Sequence, residues 1–380
     1  MKIAIIAGTF FPYSGGVQVE IHNMANKLVK NGHSVDVYVF KNIKLKNNFY
    51  RIIKINYLFL SLLYIFKKFF NLKLHKFFYL FNFRYIELDH EIYHFHFLNF
   101  KSLILIEYLK YFKKKVLVTF HGADIQIKKN INYGFRLNKK FNFYLKEIIR
   151  KVDGIQCISK NIYEDLTKLN IKRKIIYLIP NSISVKKRQY NNKKDQYINL
   201  ITVGRYARYK KGYDLVSKIA KRLVEKNIKF KWEIIGENSH RIYEDEYISK
   251  HKDKIISIDN IKNINETYFP ASKLLRHYSK ANLYINLARI ESFGLTFIES
   301  LACNTPIISF RSKGINEIII NKKNGFFVKD INSLVDKINK LHLNRQLLER
   351  LSLNSPKTVK KFDLDKNYKK LVNFYNEFSN

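Results

Sequence analysis

Two glutamates in the last third of the chain mark the sharpest candidate site. Glu291 and Glu299 lie eight residues apart in the segment ESFGLTFIE, with Glu291 in a predicted loop and Glu299 inside the helix that follows. A carboxylate accepts hydrogen bonds from the hydroxyls of a ribose or a hexose. The backbone N–H groups of Phe293, Gly294 and Leu295 lie at the predicted helix start, where anions bind. One helix start could thus bind a sugar, a diphosphate and a ribose; an acidic first helical turn is the alternative.

A basic loop follows the first predicted strand of the second half of the chain. The loop begins at Gly204 and Arg205 and ends at the consecutive lysines Lys210 and Lys211, and Gly236 ends the next strand. Arginine offers a planar fork to phosphate oxygens, and lysine offers a point charge. These cations could therefore stabilise a diphosphate leaving group without a metal. A plain surface loop of a basic protein is the alternative, and spacing does not decide between Lys210 and Lys211.

Two motifs in the first half stand at predicted strand ends. Gly15 and Gly16 precede a helix, where adjacent glycines let backbone N–H groups approach a phosphate, although a plain turn would look the same. His121 directly follows a strand, with Asp124 three residues later. Its ring is expected at the carboxyl edge of the sheet, where it can donate or accept a proton near neutral pH. A lone histidine is more often structural, but its place between a strand and Gly122 favours a functional role.

No metal or other cofactor is predicted. His94 and His96 alternate on a strand and face the same side, but the sequence offers no third ligand beside them. Asp363 and Asp365 have the D-x-D spacing of metal-dependent enzymes that use nucleotide sugars. They lie beside the terminal helix, far from any predicted strand end, so this spacing does not indicate a site.

The elements that must position these motifs alternate between strand and helix. The predicted strands beside the motifs are Lys2–Ala7, Val116–Phe120, Ile198–Val203, Phe230–Ile235 and Ala281–Leu287. The predicted helices include Val17–Lys30, Tyr213–Lys226, Gly294–Cys303, Leu334–Leu351 and Val359–Phe378. Such alternation predicts an α/β fold with parallel sheets. Ligands of these sheets bind at the carboxyl ends of the strands.

The chain divides into two Rossmann-like domains on this pattern. Residues 1–185 form the predicted first domain, residues 186–197 a polar linker, residues 198–358 the second domain and residues 359–380 a terminal helix. A length of 380 residues with 46% hydrophobic residues agrees with two domains and excludes a disordered chain. Two such domains are expected to bind their ligand in the cleft between them.

The composition limits where in the cell the protein can be expected and which partners it can bind. Cys157 and Cys303 cannot form a disulfide framework, and the apolar run at Met1–Gly8 is too short for a signal peptide, so a reducing, cytoplasmic location is expected. The net charge of +39 suggests anionic partners but does not choose between them. Because the bases are spread over the whole chain and no nucleic-acid-binding motif is present, specific nucleic-acid binding is not predicted.

Residues 41–80 differ from the rest of the chain. They contain nine Lys or Arg residues, eleven Phe or Tyr residues and no acid. The longest uncharged stretch, Ile55–Phe66, has 12 residues, whereas a bilayer span needs about 20. The segment could form a peripheral contact with an anionic membrane, and an ordinary core helix is the alternative.

The motifs together resemble glycosyltransferase family 4, whose members have the GT-B fold of two Rossmann-like domains. The resemblance extends over nearly the whole chain. It rests on the motifs above together with the Tyr93–His96 strand, Cys157–Ser159, Ile179–Asn181, Cys303–Pro306 and Gly314–Glu317. In three places the chain departs from the family pattern: Ser182-Ile183-Ser184 replaces Gly-Ile-Asp after Asn181, the segment from Arg205 to the two lysines is one residue longer, and Asn304 replaces a common glycine.

The resemblance implies a retaining, metal-independent transfer of a hexose-type sugar from a UDP- or GDP-sugar. The roles that it implies are diphosphate binding by Gly16, Arg205 and Lys211, donor-sugar contacts from Glu291 and the Phe293–Leu295 backbone, ribose binding by Glu299, and a place near the reacting sugar for His121. Gly15, Gly204, Lys210 and Gly236 complete the donor side, and Asp124 lies on the acceptor side. The terminal helix would cross back onto the first domain.

The expected acceptor is a hydroxyl of a glycan or lipid-linked acceptor in the assembly of cell-surface polysaccharide, lipopolysaccharide or capsule. The main alternative is a non-catalytic, membrane-associated or anion-binding protein that kept the GT-B scaffold. A GT-B epimerase is a further alternative, and so is a phosphorylase, but a phosphorylase would need a pyridoxal-binding lysine that the sequence does not reveal. Donor base, acceptor, linkage and oligomeric state stay open at this stage.

Overall fold

The chain folds into two compact α/β units. The computed structural model describes residues 1–11, 15–41, 43, 45–55, 86–171, 176–184, 196–259, 261 and 266–379. The first unit comprises Met1–Asn181 and Asp365–Asn380, and the second comprises Ser182–Leu364. Most of the predicted linker at 186–197, and all of 56–80 within the basic aromatic segment, lie outside the described residues.

The first unit contains a seven-stranded parallel sheet in the order β3-β2-β1-β4-β5-β6-β7. Its strands are β1 (Lys2–Ala7), β2 (Ser34–Val39), β3 (Arg51–Lys54), β4 (Ile92–His96), β5 (Val116–Phe120), β6 (Gly154–Cys157) and β7 (Ile176–Leu178). Strands β4, β5 and β6 are buried along their whole length. Such continuous burial is expected of parallel strands that helices cover on both faces.

The described helices of the first unit are α1 (Gly16–Lys30), α2 (Phe100–Tyr111), α3 (Lys139–Ile149) and α4 (Lys160–Thr167). A side chain caps the starts of α2, α3 and α4, whereas the start of α1 has no side-chain cap. Asn99 accepts a hydrogen bond from the Ser102 N–H, and Asn138 accepts one from the Phe141 N–H. Asn is among the preferred N-cap residues for this reason. Both caps lie on the carboxyl side of the sheet, next to the ends of β4 and β5.

The second unit repeats the same strand order with six parallel strands, β10-β9-β8-β11-β12-β13. They are β8 (Ile198–Val203), β9 (Phe230–Ile235), β10 (Ile255–Ile258), β11 (Leu283–Asn286), β12 (Ile307–Phe310) and β13 (Gly325–Val328). Its helices are α5 (Val216–Glu225), α6 (Glu246–Ser249), α7 (Ser272–Lys280), α8 (Leu295–Ala302), α9 (Ile331–Leu343) and α10 (Arg345–Val359). The sheet, the helices and their core all belong to this unit.

The terminal helix, α11 (Leu364–Asn376), packs on the first unit. Its Phe374 ring lies 4.7 Å from the Tyr177 ring, and its Tyr375 hydroxyl lies 2.8 Å from His94 Nδ1. At its start, Asp365 forms an ion pair with Lys27 of α1. The predicted return of the terminal helix to the first domain is therefore confirmed.

Two helix predictions were wrong in their extent. The predicted helix Leu334–Leu351 is two helices, because the Asn344 side chain accepts a hydrogen bond from the Leu347 N–H and starts α10 anew. The predicted terminal helix at Val359 begins only at Leu364. The Ile183 N–H donates to the Phe362 carbonyl and the Leu364 N–H donates to the Ile183 carbonyl, so this stretch pairs as a β-bridge and cannot continue α10.

The start of the basic aromatic segment differs from the core-helix alternative, because Arg51–Lys54 is the edge strand β3. The peripheral contact with an anionic membrane stays a prediction. Arg51 is held there because its guanidinium donates two hydrogen bonds to Asp36 of β2, at 2.8 and 2.7 Å. Among the described residues, no helix combines the length and the apolar character that crossing a bilayer requires.

Candidate active site

In each unit, the predicted site residues gather where the strand order reverses. The reversal falls between β1 and β4 in the first unit and between β8 and β11 in the second. Open parallel sheets bind ligands at the carboxyl ends of the strands at such a switch point, because the flanking loops leave a crevice there. Gly204 follows β8 directly, and Glu291 lies in the loop that leads from β11 to α8.

The predicted basic loop and the predicted acidic loop meet in the second unit. The Lys211 ammonium donates a hydrogen bond to a Glu291 carboxylate oxygen, and both side chains are partly buried. The Glu291 N–H donates to the Ser312 hydroxyl at 3.2 Å, which fixes the backbone of the acidic loop. Eighty residues separate the lysine from the glutamate, so only the sheet brings this cation and this carboxylate together.

Gly294 caps α8 in a conformation that suits glycine. Its φ of 92° lies in the left-handed region, and a Cβ there would lie 2.5 Å from the Phe297 ring. The cap has no side-chain hydrogen bond; in the first turn the Phe297 N–H donates to the Gly294 carbonyl at 3.0 Å, and no N-cap side chain competes for the other N–H groups. This is the arrangement in which a helix N-terminus binds an anion. Phe293 is buried beside Phe362, and Leu295 is buried as the first residue of α8.

Glu299 lies inside α8 and is buried. The Tyr278 hydroxyl of α7 donates to Glu299 Oε2 at 3.0 Å. Burial raises the pKa of Glu299 to about 7, and the hydrogen bond from Tyr278 opposes that rise. A buried carboxylate with one neutral hydrogen-bond donor keeps the capacity to accept further hydrogen bonds from a ligand.

The strand ends beside the basic loop pack closely. The Gly204 N–H donates to the Ile235 carbonyl at 2.9 Å, and the Tyr213 hydroxyl donates to the Gly204 carbonyl at 2.6 Å. A Cβ on Gly236 would lie 2.2 Å from that same carbonyl oxygen, so only glycine fits there. Arg205 is exposed at this edge. Its guanidinium can therefore reach a ligand at the switch point.

Arg289 braces the basic loop and was not predicted. Its guanidinium donates two hydrogen bonds of 2.7 Å to Asp214 and one of 2.6 Å to the Tyr209 carbonyl. The Arg289 N–H also donates to the Lys210 carbonyl at 3.0 Å. Burial, together with the positive charge of Lys211, lowers the pKa of Lys210 to about 8. No sequence pattern marks Arg289, because its partners, the Tyr209 carbonyl and Asp214, lie 80 and 75 positions away along the chain.

In the first unit, Gly15 and Gly16 form the start of α1. Gly15 is the N-cap, in an extended conformation without a side-chain cap, and Gly16 is the first helical residue. Gln18 of α1 donates to the Thr9 hydroxyl at 2.9 Å and ties the helix start to the loop after β1. Among the described residues, no side chain caps the helix start at the switch point of this unit either.

His121 and Asp124 form one tight loop after β5. The Asp124 carboxylate accepts hydrogen bonds from the backbone N–H groups of His121, Gly122 and Leu98, at 2.8 to 3.3 Å. Asp124 is fully buried, and burial raises its pKa to about 6 although these hydrogen bonds favour the charged form. Asp124 therefore fixes the backbone that carries His121 and links it to the end of β4.

Three histidines form a buried cluster at this edge. His121 Nε2 lies 3.1 Å from His96 Nδ1, and the rings of His96 and His94 are 4.3 Å apart. Burial and the neighbouring His96 lower the pKa of His121 well below its usual value. His121 therefore supplies the missing third histidine, but His94 is hydrogen-bonded through both nitrogens, to Tyr375 and Thr119. The cluster thus consists of two hydrogen-bonded groups, His94 with Tyr375 and Thr119 and His96 with His121, which meet where the rings of His94 and His96 pack together.

The partner of His121 was missed in the sequence, although a signal was present. His96 ends β4 and His121 follows β5, and these strands are adjacent and parallel. Carboxyl ends of adjacent parallel strands meet at one edge, so the H-x-H pattern and His121 could have been linked. Tyr278, the partner of Glu299, had no such signal because it lies in α7, a helix that the sequence analysis did not identify.

A pocket of about 410 Å³ adjoins the His121 loop. It is lined by Asn99, Phe100, Asn132, Gly134, Phe135, Leu137, Asn138 and Phe141. The Phe135 N–H donates to the Ala123 carbonyl at 2.7 Å, which connects the pocket wall to the turn between His121 and Asp124. Aromatic rings beside amide side chains suit a ligand with both apolar faces and hydroxyl groups.

A group of possible metal ligands lies away from this site. Asp36, Glu87 and His90 offer ligand atoms within 4.8 Å of one another. The Arg51 guanidinium already bonds to Asp36 and lies 3.1 Å from Glu87. A fixed cation thus occupies the position at which these carboxylates would hold a metal.

Two parallel Rossmann-like units, with polar loops at both switch points, define the GT-B class of glycosyltransferases. The crystal structure of Anabaena HepE in complex with UDP-glucose matches 99% of this chain and 100% of that chain, with a TM-score of 0.74 and 12% identity. At this identity the likeness concerns the fold alone. The predicted GT-B fold is confirmed across the whole chain.

The family follows from sequence comparison. Residues 14–187 match the Glycosyltransferase Family 4 profile, and residues 184–358 match the Glycosyl transferases group 1 profile. The chain belongs to glycosyltransferase family 4 and is an enzyme of the hexosyltransferase type.

The curated relatives that align with more than two thirds of the chain include two glycosyltransferases. An uncharacterized glycosyltransferase of Methanocaldococcus jannaschii is 27% identical over 69% of this chain and 68% of its own length. The capsular polysaccharide biosynthesis glycosyltransferase CapM of Staphylococcus aureus is 26% identical over 69% of this chain and 70% of its own length.

Proposed function

We propose that this enzyme is a retaining, metal-independent transferase that moves a hexose-type sugar from a UDP- or GDP-sugar to a hydroxyl of a glycan or lipid-linked acceptor. The observation that carries the proposal is the contact between Lys211 and Glu291 beside the uncapped start of α8. Three groups thus lie together at one edge of the sheet: a cation that can bind phosphate, a carboxylate that can bind sugar hydroxyls, and a helix N-terminus that can bind an anion.

The donor binds in this proposal through its three chemical parts. Arg205, Lys210 and Lys211 neutralise the diphosphate, assisted by the N–H groups at the start of α8 and, in the first unit, of α1. Glu291 and the backbone of Phe293–Leu295 bind the donor sugar. Glu299 accepts hydrogen bonds from the ribose hydroxyls. The buried, hydrogen-bonded position of Glu299 supports that last role, because a carboxylate held in place loses little entropy on binding.

The chemical step exchanges one bond at the anomeric carbon for another. The bond to the diphosphate oxygen breaks, the bond to the acceptor oxygen forms on the same face, and the acceptor proton moves to the leaving phosphate. Negative charge develops on the leaving diphosphate, and fixed cations stabilise that charge most where water is excluded. With the leaving phosphate as proton acceptor, no side chain has to act as a dedicated base.

His121 lies near the reacting sugar in this proposal. Its lowered pKa keeps the ring neutral at physiological pH, so it acts as a hydrogen-bond donor or acceptor and not as a fixed cation. Asp124, assigned to the acceptor side, acts through the loop that it holds.

The pocket beside the His121 loop supports the acceptor half of the proposal. Its phenylalanine rings can stack on the apolar face of a sugar ring, and its asparagine amides can bond to hydroxyls. Residues 125–146 around it contain six Lys or Arg residues and no acid, which favours an acceptor that carries phosphate. The similarity to CapM, a capsular polysaccharide biosynthesis glycosyltransferase, supports a role in the assembly of cell-surface polysaccharide, lipopolysaccharide or capsule.

A thermal-shift screen in EDTA tests the donor assignment. Wild-type protein and Glu299→Ala are each mixed with UDP, GDP, ADP and their sugar conjugates. A ligand at 100 times its Kd adds about 2.7 kcal/mol to the free energy of unfolding. We expect UDP or GDP to raise the Tm of the wild type, and Glu299→Ala to weaken that rise.

The same samples separate the alternatives. Folded protein that no nucleotide stabilises would favour a non-catalytic, anion-binding role on the GT-B scaffold. Stabilisation that appears only after a divalent metal is added would contradict metal independence. Proton NMR of the newly formed glycoside then gives its anomeric configuration, and an inverted product would contradict retention.

A further inference from the structure

In the buried polar network behind His121, the donor and the acceptor of each hydrogen bond can be assigned, starting from Gln156 in the interior. The Gln156 amide nitrogen donates to the Ile179 carbonyl at 3.0 Å, so its amide oxygen faces Thr119. The Thr119 hydroxyl donates to that oxygen at 2.9 Å. A hydroxyl has one hydrogen, so Thr119 must accept the hydrogen bond from His94.

The same count of hydrogen-bond donors and acceptors determines the tautomer of His94. Its Nε2 lies 2.7 Å from the Thr119 oxygen and must carry the hydrogen, whereas its Nδ1 accepts the hydrogen bond of the Tyr375 hydroxyl at 2.8 Å. His94 is therefore neutral and immobilised from both sides, by β5 and by the terminal helix α11. Its ring packs against His96 at a centroid distance of 4.3 Å, which supports the His96 ring from the interior.

The outer pair, His96 and His121, shares a single hydrogen. Their contact joins His96 Nδ1 to His121 Nε2 at 3.1 Å, and two nitrogens at this distance need one donor and one acceptor. If His96 donates, both rings carry their hydrogen on Nδ1. If His121 donates, both carry it on Nε2. In either case the tautomer of one ring dictates that of the other.

The three rings run from the interior to the surface of the unit. Their exposed fractions are 0% for His94, 5% for His96 and 8% for His121. The backbone of His121 is held independently, by the Asp124 carboxylate. The Asp124 carboxylate fixes neither the rotation of the His121 ring nor which ring nitrogen carries the hydrogen. The side chain that hydrogen-bonds to this ring is His96.

We propose that His96 is a positioning residue for His121, because the hydrogen shared between the two rings fixes the orientation and the tautomer that His121 presents at the carboxyl edge of the sheet. The proposal rests on the proposed function in so far as it gives His121 a place beside the reacting sugar. His96 itself contacts no substrate in this scheme.

Two substitutions at His96 separate hydrogen bonding from packing. In His96→Asn the amide group lies at the distance of Nδ1 from the backbone and can keep the hydrogen bond to His121, whereas His96→Leu cannot. We expect His96→Leu to lower kcat for hydrolysis of the stabilising nucleotide sugar by about ten- to a hundredfold, with little change in UDP or GDP affinity. We expect His96→Asn to recover most of the loss.

Tyr375→Phe is the matched structural control. It removes a buried hydrogen bond from the same network without touching the pair of His96 and His121. A lower Tm with kcat kept near the wild-type value would show that loss of stability alone does not reproduce the His96→Leu effect. An equal loss of kcat in Tyr375→Phe and His96→Leu would overturn the positioning role.

Nitrogen-15 NMR of the histidine rings in the full-length protein tests the shared hydrogen without any turnover. We expect His96 and His121 to carry hydrogen on the same-named nitrogen, and His96→Leu to change the tautomer ratio of His121. Hydrogens on differently named nitrogens would overturn the proposal, and so would wild-type kcat in a folded His96→Leu.

Failure of the proposed function gives a different result. In that case the wild-type protein neither binds nor hydrolyses any nucleotide sugar, and the kinetic consequence falls with it. The spectra still decide whether His96 sets the tautomer of His121. Should His96→Leu not fold, the wild-type spectra and His96→Asn carry the test.

Discussion

Glu299 combines burial with a role that requires charge. Burial raises its pKa from the ordinary value of 4.5 to about 7. Between these pH values the folded chain holds a proton that the unfolded chain has lost, so the free energy of unfolding falls as pH rises through that window. Above pH 7 the buried carboxylate costs on the order of 3 kcal/mol. The ligand-free protein therefore keeps a destabilising charge where the proposed function places the ribose.

Replacement of Glu299 by glutamine should separate stability from binding. We expect Glu299→Gln to raise the Tm of the ligand-free protein at pH 8, because the amide removes the buried charge and can still accept the Tyr278 hydrogen bond. At pH 5 the gain should be small, since the wild-type carboxyl is then protonated. Thermal melts at both pH values, with and without UDP, measure this, and UDP stabilisation should decrease.

Glu291→Gln is the control for that prediction. Its carboxylate is paired with Lys211, so its removal takes away an ion pair and should not raise the Tm at pH 8. If Glu299→Gln left the Tm unchanged at pH 8, the raised pKa of Glu299 would be wrong.

Lys210 should make diphosphate binding depend on pH. Its pKa of about 8 means that its charge is lost as pH rises through that value, and a neutral amine attracts a diphosphate less. We expect calorimetry to show UDP or GDP affinity falling severalfold between pH 7 and pH 9. In Lys210→Met the nucleotide affinity should be lower at pH 7 and should change less between pH 7 and pH 9. An equally steep loss in Lys210→Met would place the titrating group elsewhere.

At the scale of elements, the helix starts decide what each strand edge can bind. The starts of α2 and α3 are capped by asparagine side chains, whereas the starts of α1 and α8 have no side-chain cap. The capped helices form the wall of the pocket beside the His121 loop. Helices α1 and α8 follow the glycine-containing loops of the predicted donor site, where ligand atoms can take the place of a cap.

The pocket beside the His121 loop should affect binding of the acceptor and not binding of the donor. We expect Phe135→Ala to reduce transfer of labelled sugar to a membrane extract at least tenfold if the ring stacks on the acceptor sugar. Nucleotide affinity, measured by thermal shift, should stay at the wild-type value. Phe135 is 39% exposed, so the loss of stability should be small.

Phe143→Ala is the matched control for the pocket. Phe143 lies on α3, is 64% exposed and does not line the pocket. Its substitution should leave transfer unchanged. Equal transfer by Phe135→Ala and wild type would remove the pocket from the acceptor site.

At the scale of the whole molecule, the chain enters the second unit after Asn181 and returns to the first at Asp365. The last helix thus completes a unit whose other parts lie almost two hundred residues earlier. Phe374 and Tyr375 of α11 are buried there, and the Tyr375 hydroxyl bonds to the histidine network. The first unit therefore depends on a segment that follows the whole second unit along the chain.

A substitution in α11 should weaken the first unit selectively. Phe374→Ala removes a buried ring, which typically costs 3–5 kcal/mol. Because the core of the second unit is built from its own residues, we expect faster hydrogen exchange in β4, β5 and β6 and little change in β8 and β9. Phe230→Ala, in the core of the second unit, should give the reverse pattern. Uniformly faster exchange in both variants would mean that the two units unfold together.

The sequence predicted the fold class and the family because local patterns carry that information. Apolar runs followed by glycine-containing loops predict parallel strands and their carboxyl ends, and these hold for β1, β5, β8 and β9. Where the prediction failed, nonlocal hydrogen bonds decided the outcome: Ile183 ends the helical run before α11, and pairing with Asp36 makes Arg51 part of a strand.

The sequence by itself determined which residues follow the strand ends: Glu291 with Glu299 in the next helix, the basic loop, the glycine pair and His121. Only the tertiary structure decided their partners, which are Lys211 for Glu291, Tyr278 for Glu299, and His96 for His121. The physical reason is separation along the chain, since 80, 21 and 25 residues lie between these partners. Burial, and the pKa values that burial sets, depend on packing in space, which a local pattern does not contain.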